Sequence, residues 1–203
     1  MMATTHALAG AVLGTLVFLV APEVGIVPVA AAALGGLFPD FDLYAGHRKT
    51  LHYPVYFSVA AVPATVLAFA VPTVASLSAA LFLLAAATHS VMDAFGGGLE
   101  LKPWEATSER AVYDHFRGRW VPPKRWVRYD GAPEDLLLAV ALAVPPVVVF
   151  DGPVEIGVGV ALAVSATYAL LRKPMVVAAE RVVAVLPVTL LSYVPDRFVE
   201  DFQ

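Results

Sequence analysis

Long apolar runs, separated by short polar or proline-containing junctions, occupy most of this chain. An α-helix needs about 20 apolar residues to cross the hydrocarbon core of a bilayer, and about 17–25 are tolerated. The runs predict six helices, at residues 5–21, 24–38, 51–71, 73–95, 134–150 and 154–171. Pro22, Pro72 and Pro153 lie at three of the junctions, where proline can end or begin a helix without removing an internal hydrogen bond. The sequence therefore predicts an all-α integral membrane protein with about six transmembrane helices.

The first apolar run and the C-terminal segment have further features. Gly10 and Gly14 give the first helix a GxxxG face on which another helix can pack closely. After residue 175 the pattern is ambiguous, because Glu180 and Arg181 interrupt the apolar run and Pro187 follows. Residues 175–203 fit either a seventh span or a hairpin lying in the membrane interface. We prefer six spans.

The composition agrees with a membrane protein. The 203 residues are 59% hydrophobic and 15% charged, whereas soluble domains are about 45–50% apolar and about 25% charged. The mean hydropathy is +0.76. The absence of cysteine excludes disulfides and thiolate metal sites.

One long polar region, residues 96–132, separates two groups of apolar runs. It contains seven Lys or Arg residues and three Trp residues, a mixture typical of segments beside anionic headgroups. We divide the chain into a four-helix membrane core at 1–95, a basic and aromatic cytoplasmic loop at 96–132, and C-terminal helices with a tail at 133–203. A substrate lid is also compatible with the loop. Five acidic residues lie among the seven basic ones, so no nucleic-acid partner is expected.

Charge asymmetry predicts the orientation. Threading six spans places the N-terminus, both polar loops and Arg172–Lys173 on one side of the membrane, with eleven of the thirteen Lys and Arg residues. The short turns on the opposite side contain no basic residue. Because Lys and Arg are enriched in cytoplasmic loops, the first side is predicted to be cytoplasmic. The protein is then a multi-pass component of the inner or plasma membrane.

The ionisable residues of the first 99 positions collect at the predicted cytoplasmic ends of the helices, with Glu23 as the exception. A carboxylate at a helix centre costs about 2.5–3.5 kcal/mol, so such groups usually face a partner, a cavity or an ion. His89 and Asp93 are four residues apart and project from one helix face. Asp40 and Asp42 follow the second helix and would point the same way in an extended segment. Antiparallel helices with short turns bring these ends together.

Imidazole and carboxylate groups in such a cluster suit Zn²⁺, Mn²⁺ or Fe²⁺. Other interpretations stay open. An Asp after Pro39 is ordinary turn chemistry, and His89 with Asp93 can form a structural hydrogen-bonded pair. His115 lies in the polar loop without a companion motif and is expected to be solvated.

The order of these motifs resembles the membrane-bound metal-dependent hydrolase family, whose members are associated with the inner membrane. The similar stretches cover residues 4–105 and are Thr5-His6 with Gly10, Pro39-Asp40-Phe41-Asp42, His47-Arg48-Lys49-Thr50-Leu51-His52, and His89-Ser90-Val91-Met92-Asp93. Tyr53 stands where the family usually has a serine. The resemblance implies a membrane hydrolase.

The resemblance and the ligand chemistry together predict a divalent-metal site, with Zn or Mn preferred. The predicted metal ligands are His6, Asp40, Asp42, His52, His89 and Asp93. A cation held by them would lower the pKa of a bound water to about 7. His47 is predicted to be a further ligand or a general base. Arg48 and Lys49 are expected to neutralise an anionic substrate, since arginine favours bidentate phosphate contact.

The leading functional hypothesis is a hydrolase acting on a phosphoester or lipid-like substrate at the cytoplasmic face, with membrane lipid and a small-molecule or lipid-like substrate as partners. The oligomeric state is open. A transporter or ion channel is a second hypothesis, although transporters usually place polar groups near the bilayer midplane and here they lie at one edge. A scaffold that recruits a partner through residues 96–132 is a third.

Overall fold

The computed structural model describes residues 1–187, and most of them are helical. The helices in that range are α1 (Ala3–Val20), α2 (Val27–Leu37), α3 (Pro54–Ala70), α4 (Val74–Met92), α5 (Pro133–Val149) and α6 (Pro153–Val185). Two short strands inside the 96–132 loop, β1 (Val112–Asp114) and β2 (Arg119–Val121), pair antiparallel. The predicted helical fold class is confirmed at this level. The hairpin was missed because strands of this length carry no periodic signal.

Proline and a capping box set the helix starts. Proline occupies one of the first two positions of α2, α3, α5 and α6, where its missing N–H removes no internal hydrogen bond. At the start of α4, the Thr73 hydroxyl accepts a hydrogen bond from the Ser76 amide, and the Ser76 hydroxyl accepts one from the Thr73 amide. The predicted helix starts lie within about three residues of the observed ones.

The last helix departs most from the predicted boundaries. α6 continues past residue 171 to Val185 and has 33 residues. Glu180, which was expected to interrupt the apolar run, lies within this helix and forms an ion pair with Lys102 of the polar loop. Residues 175–185 therefore extend α6. The predicted tail from residue 188 to 203 lies outside the described residues.

Three described helices are long and apolar enough to cross a membrane: α1, α4 with its extension to Phe95, and α6. Helix α3 is apolar but has 17 residues, and α2 has 11. Eleven helical residues rise about 16 Å, roughly half of the about 30 Å hydrocarbon core. α2 is therefore too short to span that core by itself. The lengths and composition fit membrane association.

The short helix α2 packs against α1 through glycines. A Cβ at Gly10 would lie 2.1 Å from the carbonyl oxygen of Ala32, and a Cβ at Gly36 would lie 2.3 Å from the carbonyl oxygen of His6. A Cβ at Gly14 would lie 2.5 Å from the Cα of Val29 in α2. No side chain fits at these positions, so the two backbones approach closely. The predicted role of the GxxxG face of α1 is confirmed.

We expect Gly10→Ala to destabilise the fold by about 1–3 kcal/mol, because the added methyl group forces α1 and α2 apart. Gly159→Ala in α6 is the matched control. A Cβ there has no neighbour within 4 Å, and alanine is favoured over glycine in a helix by about 0.5–1 kcal/mol. Loss of helical circular dichroism with rising SDS concentration measures both variants. Equal midpoints for Gly10→Ala and Gly159→Ala would contradict the close packing.

The polar loop folds back onto the helix ends. The Tyr113 amide donates to the carbonyl of Arg48 at 2.9 Å, and the Lys124 amide donates to the carbonyl of Ala94 at 2.8 Å. Several of its basic side chains form ion pairs with neighbouring acids: Arg117 with Asp114, Arg125 with Glu109, and Arg128 with Glu134. The described loop is therefore a structured cover that contacts the polar end of the helix bundle.

Candidate metal centre

Polar side chains from several backbone segments meet at one end of the bundle. The segments are the start of α1, the turn after α2, the stretch before α3, and the end of α4. They meet because α1, α2 and α4 pack against one another. One ligand atom from each of Asp40, His52, His89 and Asp93 lies within 4.8 Å of the others. The predicted convergence of the helix ends is confirmed for these four residues.

The turn after α2 separates two carboxylates that were predicted to act together. Phe38–Asp42 forms a 3₁₀ helix, so the expectation of an extended segment with both carboxylates pointing the same way is wrong. A 3₁₀ helix has about 3.0 residues per turn, and residues two apart therefore face different directions. Asp40 joins the group of four, whereas Asp42 faces the backbone and the histidines before α3.

Asp42 is buried and accepts four hydrogen bonds. Its Oδ1 accepts from His47 Nδ1 at 3.0 Å and from the Arg48 amide at 3.3 Å. Its Oδ2 accepts from the Leu51 amide and from His52 Nδ1, both at 3.0 Å. Burial raises the pKa of Asp42, but the hydrogen bonds from His47 and His52 outweigh burial and hold the pKa below its usual range. Asp42 is therefore an anion that fixes the loop before α3.

The contacts at Nδ1 set the tautomers of two imidazoles. His52 Nδ1 faces a carboxylate oxygen of Asp42, and His89 Nδ1 lies 2.5 Å from the carbonyl oxygen of Gly36. Both partners can only accept, so each Nδ1 carries the hydrogen. In the neutral rings each Nε2 then presents a lone pair. The two Nε2 atoms lie 3.1 Å apart and face each other.

Two carboxylate oxygens complete this group of acceptors. Asp93 Oδ2 lies 3.1 Å from His52 Nε2 and 3.5 Å from His89 Nε2. Asp40 Oδ1 lies 3.8 Å and 3.5 Å from the same two nitrogens. Ligand atoms around a tetrahedral Zn²⁺ at about 2.0–2.2 Å are separated by about 3.3–3.6 Å. The measured separations lie near this range, so the four atoms are close enough together to hold one metal ion.

Burial raises the energetic cost of leaving these acceptors unpaired. The residues His52, His89 and Asp93 are 0%, 1% and 1% exposed, and Asp93 Oδ2 has no hydrogen-bond partner. Burial lowers the pKa of His52, but the contacts with Asp42 and Asp93 outweigh it and raise the pKa. The cluster thus attracts positive charge. A divalent cation satisfies all four atoms at once, whereas a proton satisfies two at most.

His6, predicted as a ligand, lies outside the group of four. Its Nε2 lies 3.2 Å from Asp93 Oδ1, and its ring stacks on the His89 ring with centroids 3.7 Å apart. His6 therefore orients Asp93 and supports His89. Asp42 likewise contacts a member of the group from outside. The group that could hold a metal ion thus contains four of the six predicted ligands, and a ligand role for His6 and Asp42 stays a prediction.

Arg48 connects the cluster to the polar loop. It is 6% exposed, its Nη1 donates to the carbonyl of Gly97 at 2.7 Å, and its Nε lies 3.6 Å from Asp93 Oδ2. Its backbone has a φ of 58°, in the left-handed region that non-glycine residues seldom adopt. The hydrogen bond from its amide to Asp42 helps hold that conformation. Its predicted contact with substrate stays a prediction.

The three other residues considered from the sequence, His47, Lys49 and His115, have different surroundings. His47 contacts Asp42 and lines a cavity beside the cluster, and burial lowers its pKa although the bond to Asp42 raises it. The Lys49 ammonium lies 4.5 Å from the centre of the Tyr113 ring, and Lys49 is absent from the described lining of the cavity. His115, predicted to be solvated, donates from Nε2 to the Lys49 carbonyl at 2.6 Å.

The cavity has a volume of about 410 Å³. Asp40, His47 and Arg48 line it, and so do residues that sequence reasoning missed: Glu100, Asp130, Tyr168 and Arg172. The Asp130 carboxylate accepts hydrogen bonds from the Tyr168 hydroxyl and from Arg172 Nε. Both carboxylate oxygens of Glu100 are buried without a hydrogen-bond partner among the described residues. The sequence offered one indication of this grouping: Tyr168 and Arg172 are four residues apart on one helix and therefore share a face.

The fold and the site together define a class: a mostly helical protein with membrane-length apolar helices and a buried His/Asp cluster that can hold a metal ion. Comparison of the chain with family models, curated proteins and solved structures gives no significant match.

Proposed function

We propose that this protein is a membrane-embedded, metal-dependent hydrolase that acts on a phosphoester or lipid-like substrate. The observation that supports the proposal is the convergence of four acceptor atoms, two of them imidazole nitrogens whose tautomers are fixed by Asp42 and by the Gly36 carbonyl. Metal-binding histidines characteristically donate their other nitrogen to a carboxylate or a carbonyl in this way. A structural hydrogen-bonded pair would need only one donor and one acceptor, whereas four potential ligand atoms meet here.

The ligand set suits Zn²⁺ or Mn²⁺. Two imidazoles with two carboxylates match borderline divalent metals, and four ligand atoms are the number that Zn²⁺ usually takes. Bound there, the metal would supply Lewis acidity and an acidified water for attack on an ester. Asp40 is the most accessible of the four, with a side chain 20% exposed and facing the cavity. A substrate would therefore approach from the Asp40 side.

Side chains around the cavity would bind the substrate and accept the proton released in the reaction. His47 lines the cavity and is held by Asp42 through Nδ1, so its Nε2 would act as the general base. Arg48, fixed by the Gly97 carbonyl, would present its remaining donors to an anionic group. The unpartnered carboxylate of Glu100 would accept a hydrogen bond from a hydroxyl or ammonium group of the substrate.

The proposal places this site at the cytoplasmic face of the inner or plasma membrane. The supporting argument is the distribution of Lys and Arg over the polar loops. Six passages through the membrane would need α2 to cross together with its flanking turns, because α2 alone has 11 residues. Membrane lipid is then the immediate environment of the cavity.

Metal analysis of the purified protein tests the proposal. We expect about one Zn or Mn per chain after loading, and less than about a tenth of that for Asp93→Asn, because the amide loses the charged oxygen that faces both histidines. Asp151→Asn is the matched control, since Asp151 is exposed and remote from the cluster. Hydrolysis of a chromogenic phosphoester, p-nitrophenyl phosphate or its diester, is measured on the same samples. Failure of the wild-type protein to bind any divalent metal would overturn the proposal.

A further inference from the structure

Three acidic side chains line the cavity: Asp40, Glu100 and Asp130. The Asp130 carboxylate accepts hydrogen bonds from the Tyr168 hydroxyl and from Arg172 Nε. Asp40 belongs to the group of four and faces its two imidazoles. Glu100 differs from both, because its two carboxylate oxygens are buried and have no hydrogen-bond partner in the part of the chain that the structure describes.

The surroundings of Glu100 account for its isolation. A Cβ at Gly98 would collide with Glu100 Oε2, so this oxygen packs on the Gly98 backbone, and Gly98 also lines the cavity. The nearest basic residue in the sequence, Lys102, pairs with Glu180 of α6. An ionised carboxylate that is buried without a partner is costly. A buried polar group left in this way needs an explanation, and a ligand that pairs with it provides one.

Arg48 lies within electrostatic reach of Glu100. Burial lowers the pKa of Arg48, but nearby carboxylates, Asp93 foremost and Glu100 among them, outweigh burial and raise it. Arg48 Nη1 donates to the Gly97 carbonyl, which fixes the guanidinium beside the cavity. The described residues contain no ion pair between Arg48 and Glu100. One cavity is therefore lined by a fixed cation that can bind an anionic group and by an unpaired carboxylate that can bind a cationic group.

We propose that the cavity selects a zwitterionic phosphoester, whose phosphate lies between Arg48 and the group of four and whose ammonium group pairs with Glu100. This inference rests on the proposed function, because it takes the cavity as the site of the reacting phosphate. Rotation of the Glu100 side chain, which lines the cavity, brings its carboxylate to the ammonium group. A hydroxyl group would donate a hydrogen bond but would leave the charge of the carboxylate unbalanced.

Two esters that differ by one ammonium group test the proposal. Ethanolamine phosphate and ethyl phosphate are titrated calorimetrically into the full-length protein in detergent, with and without Zn²⁺, and protein-free micelles are the blank. We expect ethanolamine phosphate to bind at least about tenfold more tightly, because a hydrogen bond between two charged groups contributes that much or more. Glu100→Gln keeps the shape of the side chain and removes its charge, so it should reduce the ratio to within about twofold.

Glu109→Gln is the matched control. The Glu109 side chain is 73% exposed and does not line the cavity, so the same substitution in the same loop should keep the tenfold ratio. Equal ratios for the two variants would overturn the proposal. Glu100→Gln should also leave the SDS midpoint of unfolding unchanged or raise it, because it removes a buried charge that no described residue pairs. A lower midpoint would reveal a structural partner of the carboxylate and would count against the proposal.

A second pair of esters identifies the source of the ligand. Dihexanoyl phosphatidylethanolamine and dihexanoyl phosphatidylethanol again differ by the ammonium group, and they carry short acyl chains. A Glu100-dependent preference for the ammonium ester in either pair supports the proposal. The pair that binds more tightly shows whether a lipid headgroup or a water-soluble ester is recognised. Absence of the preference in both pairs would overturn the proposal.

The outcomes separate this inference from the proposed function. If Zn²⁺ and ethyl phosphate bind but the ammonium group contributes nothing, the selectivity proposal fails and the metal site stands. If Zn²⁺ binds and none of the esters does, the cavity is not the substrate site and the selectivity proposal fails as well. If the protein binds no metal while ethanolamine phosphate still binds in a Glu100-dependent way, the hydrolase proposal fails and Glu100 is supported as the ammonium site.

Discussion

His89→Ala should reduce the affinity for Zn²⁺ by more than about 100-fold. The substitution removes an Nε2 atom that lies within 3.5 Å of both Asp40 Oδ1 and Asp93 Oδ2. Loss of a residue that only supports a ligand already reduces metal affinity by about 10–100-fold, and loss of a ligand itself reduces it further. The affinity is measured by competition with a chromophoric chelator, and the metal content after dialysis gives an independent reading. Phosphoester hydrolysis should fall with the metal content.

His115→Ala provides the comparison for His89→Ala. His115 contacts the Lys49 carbonyl and lies in the polar loop, outside the group of four. We expect it to retain metal at the wild-type stoichiometry. Circular dichroism and size-exclusion chromatography check that both variants keep the helical fold. A His89→Ala protein that is folded and binds Zn²⁺ as tightly as His115→Ala would refute the assignment of His89 as a ligand.

Asp42→Asn should weaken Zn²⁺ binding by about 10–100-fold although Asp42 lies outside the group of four. The two carboxylate oxygens of Asp42 accept from two different imidazoles, His47 and His52. An asparagine offers one acceptor oxygen and a donating amide, so it can satisfy only one of the two rings. If the asparagine turns its NH₂ group toward His52, the ring loses the acceptor that keeps its hydrogen on Nδ1. The hydrogen can then move to Nε2, and the lone pair of Nε2 is no longer available to a metal ion.

Asp114→Asn serves as the control for Asp42→Asn. Asp114 also accepts several hydrogen bonds, from the Phe116 and Arg117 amides and the Arg117 side chain, but it lies in the hairpin of the polar loop. Its substitution should leave the Zn²⁺ affinity within about twofold of the wild type. Unchanged affinity for Asp42→Asn would show that His52 keeps its orientation without a carboxylate partner.

Local spacing predicted the parts of the site that depend on one regular element. His89 and Asp93 are four residues apart at the end of α4, and their Nε2 and Oδ2 atoms lie 3.5 Å apart, which residues on one helix face can reach. The glycines of α1 predicted close packing, and the backbone of α2 packs against Gly10. Because apolar runs of membrane length carry a strong signal, the helix starts were predictable as well.

Contacts between distant segments could not be read from the sequence. The Gly36 carbonyl sets the tautomer of His89 across 53 positions, and a backbone carbonyl has no sequence signature. The different directions of Asp40 and Asp42 follow from a 3₁₀ turn, whereas their spacing alone was equally compatible with an extended segment. Tyr168 and Arg172 line the cavity because of the way α6 packs. The apolar composition of α6 does not reveal which of its faces packs against the bundle.

If the group of four binds an ion, the positions of its residues along the chain decide when that ion can enter during synthesis. All four precede residue 94, and they are carried by the turn after α2, the segment before α3, and the end of α4. The cation would join three separate stretches of backbone as soon as α4 has entered the bilayer. Arg48 contacts Gly97 and Tyr113 only after the polar loop has been made. Tyr168 and Arg172, the residues of α6 that line the cavity, follow later still. Metal capture by a nascent chain would thus precede formation of the cavity and of the contacts with the polar loop.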